Sequence, residues 1–159
     1  MLDEAGIHEY RDDFEKLFSM LATSGEHDDM VAKIERAVFD YFACMELPEV
    51  PTLYDHLVLS LRDKDVIATF NWDPFLVQAM SRNAHVKSRP LTLFLHGNVA
   101  IGYCMAHERM SVGYRGHYCR KCGERFSDSR LLYPVAEKDY NSDAFLNRFF
   151  AHFSGCCLI

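Results

Sequence analysis

Apolar residues recur at helical spacing through the first sixty positions of the chain. Between His8 and Thr23 they are Tyr10, Phe14, Leu17, Phe18 and Leu21; between Met30 and Met45 they are Val31, Ile34, Val38, Phe42 and Met45. Ser24-Gly25 separates these two predicted helices, and Pro48 and Pro51 close the second. Thr52 is placed to cap a third helix running to about Arg62. The acidic residues mostly fall on the opposite faces and read as solvated surface.

The pattern changes after residue 64. Asp65 to Phe70 is a short apolar run after a charged turn and reads as a buried strand. Pro74 to Met80 reads as a helix with proline in its first turn, and P-L-T-L-F-L, residues 90–95, as a second buried strand. Strand, helix and strand in about 30 residues form a βαβ unit, which predicts a parallel sheet covered by helices. Residues 100–130 are rich in Gly, Cys, Arg and Tyr, without a long apolar run. Helical spacing returns over Asp143 to Phe153, through Phe145, Phe149, Phe150 and Phe153, and Cys156 to Ile159 reads as the start of another strand.

The chain has 159 residues, enough for one domain with a core. Its net charge of -6 argues against broad nucleic-acid binding, which needs a basic face. No apolar run approaches the roughly 18–20 residues of a membrane span. The N-terminal stretch MLDEAGIHEYRDDFEK is acidic and unlike a signal peptide, so a cytoplasmic location is expected. Six cysteines do not make a disulfide framework here. Cys44 lies in a helical pattern, Cys156 and Cys157 are adjacent, and only Cys104, Cys119 and Cys122 cluster among hydrophilic residues. Such a cluster suits a metal better than bridges. The terminal C-C-L-I matches a prenylation pattern through Cys156, but lacks upstream basic residues and reads better as a strand.

The first predicted strand ends on polar residues: V-I-A-T-F-N-W-D, residues 66–73, then Pro74. The second ends on L-H-G-N, residues 95–98. In open α/β sheets, ligands bind beyond the carboxyl ends of the strands. If the strands are neighbours, Asn71, Asp73 and His96 share one crevice, giving an amide to position, a carboxylate to accept donors and an imidazole to move protons. Gly97 lets a ligand approach the backbone closely. Against this, Asp73 could simply cap the following helix and Asn71 close the turn.

Cys119-Arg-Lys-Cys122-Gly123 is a C-x2-C knuckle of the zinc-ribbon kind. Cys104 and His107 form a C-x2-H pair with eleven residues between it and Cys119, a spacing that permits a tetrahedral Cys3His site; His117 is a rival for the fourth position. The other reading is a lost ribbon with free thiols. A structural zinc would leave no open coordination position and take no part in catalysis. Arg115, His117, Arg120, Lys121 and Arg125 make the segment locally basic, which supports a non-enzymatic binding module as an alternative. The overall acidity favours a protein partner, or a second copy, over DNA.

T-F-N-W-D, then L-H-G-N, then a Cys-rich segment resembles the sirtuin superfamily, closest to the sirtuin-like domains of bacterial defence NAD hydrolases. The later L-L-Y-P-V-A-E-K-D-Y also fits that branch, and the resemblance covers roughly residues 50–159. It implies NAD as ligand or substrate, with Thr69, Asn71, Trp72, Asp73, Gly97 and Asn98 binding it. It also implies Asn71 holding the ribose and the attacking water, Asp73 contacting the nicotinamide amide, and His96 as general base. The implied chemistry is cleavage of the nicotinamide–ribose bond. Deacetylases of the superfamily carry Gln before the Asn; Phe70 stands there here, which favours hydrolysis over deacetylation. The phosphate-cradling glycine loop of the family is missing, so a truncated domain of weak or no activity is expected. The expected fold is α/β, with three parts. Residues 65–99 and 131–159 form an incomplete Rossmann-like parallel sheet, residues 1–64 a helical part, and residues 100–130 a zinc-ribbon-like insert.

Overall fold

A computed structural model describes residues 13–86, 89–107, 112–129 and 131–133. The predicted helix over 143–153, the strand over 156–159 with the C-C-L-I motif, and the start of the helix predicted from His8 lie outside them.

Helix α1, Phe14–Ser24, starts where the Asp13 carboxylate accepts the Lys16 backbone N–H at 3.1 Å, and ends at Gly25. Helix α2, Asp28–Ala43, begins two residues before the predicted span and ends two before its end. The two pack through Leu17 and Leu21 of α1 against Met30, Val31 and Ile34 of α2. Their apolar stripes then close over a second cluster. There Phe18 and Phe39 meet Val99, Leu131 and Tyr133 from later in the chain.

Helix α3, Leu53–Ser60, opens with a reciprocal capping box between Thr52 and Asp55, so the predicted cap is the one used. Strand β1, Val66–Thr69, and strand β2, Leu91–Phe94, pair in parallel, with Val66 opposite Leu91 and Thr69 opposite Phe94. Helix α4, Phe75–Arg82, crosses between them. Val58 of α3 and Leu76 and Ala79 of α4 cover one face of this pair, where Ile67 and Phe94 point. The strands were expected to be buried on both faces. Instead Val66, Phe70 and Leu91 are exposed, while Leu93, on the same face as Leu91, is buried. A two-stranded sheet is marginal alone, and the helical cover stabilises it.

Residues beyond Val99 form a second, antiparallel sheet that the hydrophobic pattern did not predict. Its strands are β3, Ile101–Tyr103, β4, Val112–Tyr114, and β5, Ser127–Asp128, in the order β4-β3-β5. A single 3-10 turn, Met105–His107, follows β3. Arg115 fastens this sheet to the helices: its guanidinium stacks 4.8 Å from the Phe39 ring centroid and pairs with Asp128 at 2.9 Å. The whole is a mixed α/β structure. No helix among the described residues is long and apolar enough to cross a membrane.

Candidate functional site: a strand-end cleft and a metal centre

Leu95 N–H donates to the Thr69 carbonyl at 2.8 Å, extending the parallel ladder to the strand ends. Just past it the chain must turn twice. At the end of β1, the Thr69 hydroxyl accepts the Asn71 N–H at 3.1 Å, and Asp73 Oδ1 accepts the Phe75 N–H at 3.1 Å. Asp73 thus makes a local turn onto the first residue of α4, but it is not the N-cap its capping reading expected: that position is Pro74, and no side chain caps the helix. At the end of β2, Gly97 adopts φ 77°, a left-handed turn that a residue with a Cβ would strain to make.

Asn98 locks the two turns together. Its side chain is only 1% exposed. The amide Nδ2 donates to the Asp73 carbonyl at 2.6 Å and to the Asn71 carbonyl at 3.5 Å, while Oδ1 accepts the Ala100 N–H at 2.9 Å. Val99 N–H adds a bond to the Trp72 carbonyl at 3.0 Å. Asn98 thus holds the backbone of the Asn-Trp-Asp turn in place.

The two turns face one open cleft of about 470 Å³. Asn71, Trp72, Asp73 and His96 line it, with Phe70 and Leu132 at its sides and Phe42 and Glu15 from the helices. The Phe70 ring lies 4.7 Å from the imidazole of His96. Behind the cleft the aromatic rings form a wall: Trp72 sits edge-on to Phe42 at 5.8 Å and 5.0 Å from Tyr133, which stacks on Phe18 at 4.9 Å. Burial, reinforced by the Glu35 charge, pushes the Tyr133 hydroxyl up to about 12, and it donates to the Glu35 carbonyl at 2.9 Å.

Two neighbours of the cleft carry no signal in the sequence pattern. Glu15 reads there as one more solvated acid on the outer face of α1. Tyr54 reads as a residue of α3, yet the Asn71 side chain hydrogen-bonds it. Burial and then the Asp73 charge raise its pKa above the usual value, partly offset by that hydrogen bond. Both positions depend on how helices dock, which spacing within one helix does not encode.

In the insert, Cys104, His107, Cys119 and Cys122 bring one ligand atom each to within 4.8 Å of one another. Cys104 Sγ is 3.3 Å from His107 Nδ1 and 3.4 Å from Cys122 Sγ, and Cys119 Sγ is 3.6 Å from the same Nδ1. The knuckle explains the geometry. Cys119 N–H donates to the Glu124 carbonyl at 2.7 Å, Gly123 N–H closes on the Cys119 carbonyl at 2.8 Å, and Lys121 N–H points at Cys119 Sγ at 3.4 Å. Gly123, at φ 76°, makes the reversal possible. The Glu124 backbone N–H lowers the Cys122 pKa, but desolvation and the crowding Cys104 and Cys119 sulfurs outweigh it, leaving the thiol above its usual range. Of the two candidate histidines, His107 joins the cluster, while His117 turns away to meet the Tyr114 ring edge-on at 5.6 Å. The four side chains could hold a metal ion. No family model, no curated protein and no solved structure matches this chain.

Proposed function

We propose that this chain is a sirtuin-like domain that cleaves the nicotinamide–ribose bond of NAD by hydrolysis, its insert held by a structural zinc ion. The supporting observation is the convergence of Asn71, Asp73 and His96 on one cleft at the carboxyl ends of two parallel strands. On this reading β1, α4 and β2 are one unit of a Rossmann-like sheet.

Each residue has a task that its setting suits. Asn71 is exposed, its backbone N–H held by the Thr69 hydroxyl and its amide shared with Tyr54, and the rest of that amide would orient a ribose hydroxyl or a water. His96 takes a proton near neutral pH. In the step, the water oxygen bonds to the ribose carbon as the bond to nicotinamide breaks. Nicotinamide leaves with the bonding pair, and the water proton passes to the imidazole. Asp73 places a negative charge beside the positive charge that builds on the sugar. Phe70, packed on His96, stands where a deacetylase would carry an amide, which supports water as the acceptor.

For the metal, three thiolates and an imidazole are a zinc donor set, and Zn–S bonds of about 2.3 Å require ligand atoms about 3.8 Å apart. The observed 3.3–3.6 Å contacts approach that edge length. Four protein ligands leave no position for substrate, so the ion would cross-link the insert and supply no chemistry to the cleft.

The test is nicotinamide release from NAD by the purified chain. Weak release at most is expected from a chain without the glycine loop, falling by about 10² to 10⁴ in His96→Ala. Release that survives His96→Ala, or neither release nor binding at millimolar NAD, overturns the reading. A second reading, a protein-interaction module without turnover, is favoured by Met105 and Tyr118. They stand 67% and 65% exposed beside the ligands Cys104 and Cys119.

A further inference from the structure

We propose that Tyr54 is a positioning residue of the strand-end cleft: its hydroxyl takes one N–H of the Asn71 carboxamide and so presents Oδ1, an acceptor, to a hydroxyl or water in the cleft. The proposal rests on the NAD-cleaving reading only for the identity of that donor, a ribose hydroxyl or the attacking water.

The polar groups of Asn71 carry the argument. Its backbone N–H donates to the Thr69 hydroxyl at 3.1 Å, and its carbonyl accepts Asn98 Nδ2 at 3.5 Å. Its side chain hydrogen-bonds Tyr54. That bond favours the ionised phenol, as an amide N–H donating to the phenol oxygen does. The oxygen and the N–H groups of a carboxamide share one plane, so fixing an N–H fixes the direction of Oδ1. An exposed asparagine held at its backbone alone would swing between offering a donor and offering an acceptor. Asn71 lines the cleft, and with Nδ2 turned to Tyr54 it offers the acceptor.

Tyr54 is not among the described residues that line the cleft, so it acts through Asn71. Its position is well fixed. It is half-buried, lies 5.7 Å from the Phe75 ring, and packs against the cluster of Val58, Leu76 and Ala79. The next residue, Asp55, accepts Arg82 Nε and Asn83 Nδ2, each at 2.9 Å, which fastens this turn of α3 to α4. Phe75 opens α4, and its N–H is held by Asp73. Hydroxyl and amide therefore belong to one packed block, as a positioning pair must. Burial and then the Asp73 charge raise the Tyr54 pKa, so the phenol keeps its proton throughout the neutral range.

Tyr54→Phe removes the oxygen and leaves the ring on Phe75. The readout is NMR of protein isotope-labelled at asparagine, with the Asn71 carboxamide assigned by its loss in Asn71→Ala. Hydrogen exchange at Asn71 Nδ2 is expected to quicken by about fivefold in Tyr54→Phe, the worth of one neutral hydrogen bond. Asn83 and Asn98 should not change, which verifies that the variant folds. Saturating NAD is expected to shift the Asn71 Cγ resonance in the parent chain and to shift it less in the variant. Where nicotinamide release is measured, kcat should fall by about fivefold with KM within about twofold. A hydroxyl that only helped the helices pack would move neither the Cγ shift nor kcat. Unchanged exchange overturns the proposal, and so do an NAD-induced shift and a kcat that Tyr54→Phe leaves alone. A chain that neither binds NAD nor releases nicotinamide sinks the hydrolase reading alone, and the exchange rate then decides this proposal.

Discussion

Phe126 shows how one side chain sets the sequence of two strands. Its ring and Cβ lie over the paired Gly102 and Gly113. A Cβ built on Gly102 would come within 2.8 Å of Phe126 Cβ and 2.9 Å of the Ser127 carbonyl oxygen, neither of which can move without the strand. A Cβ on Gly113 would meet the ring edge, Cε2, at 2.6 Å, and that ring can turn. Gly113→Ala should therefore cost about 1–3 kcal/mol, as overpacking does, and Gly102→Ala more. Phe126→Ala should rescue Gly113→Ala but leave much of the Gly102→Ala penalty, because the Ser127 carbonyl remains. Urea denaturation of the single and double variants measures this, and an equal rescue of both sinks the account. At this scale the polar strand ends were legible, since an amide and a carboxylate directly after an apolar run stand out. Glu15, Tyr54 and the structural task of Asn98 were not, because each is defined by what packs against it.

Among the elements, α3 and α4 are joined by polar groups as much as by apolar ones. Asp55 is 4% exposed. It closes the capping box with Thr52, pairs with Arg82 through two oxygens, and accepts Asn83 Nδ2 at 2.9 Å. One turn earlier on α4, Gln78 bonds Leu47 N–H at 2.7 Å and the Met45 carbonyl at 2.8 Å, pinning the link between α2 and α3. Thr52→Ala should cost about 1 kcal/mol in thermal unfolding. Arg82, then Thr52 and Asn83, hold the Asp55 carboxyl well below the usual carboxylate range. Its contribution is present above the unfolded value of about 4 and is lost as pH falls toward the folded one. Stability should thus drop as pH is lowered below about 4, and Asp55→Asn should flatten that slope while lowering stability at neutral pH. An unchanged slope in Asp55→Asn contradicts this. The helices were readable because their apolar spacing is long and their caps are local. Strands β3 to β5 were not: they are two or three residues long, with glycines at the pairing positions where an alternating pattern would need side chains.

For the molecule as a whole, the proposed zinc matters most to the insert. Structural zinc is worth an apparent 10–16 kcal/mol or so, comparable to the total stability of a domain. About one zinc per chain is expected; Cys122→Ser and His107→Ala should lose it, and His117→Ala should keep it. Elemental analysis decides, and metal-free protein with freely titrating Cys104, Cys119 and Cys122 removes the assignment. Chelation should unravel β3 to β5 yet spare the helices, because Phe18, Phe39, Val99, Leu131 and Tyr133 lie outside those strands. The insert also begins and ends at the same place: Ser129 N–H bonds the Ile101 carbonyl at 3.1 Å, and Leu132 N–H bonds that of His96 at 2.9 Å. Such a closed neck works like a socket. A gene could trade, trim or discard everything between residues 101 and 129 in a single event, and the aromatic wall behind the cleft would not have to be rebuilt to accommodate the change.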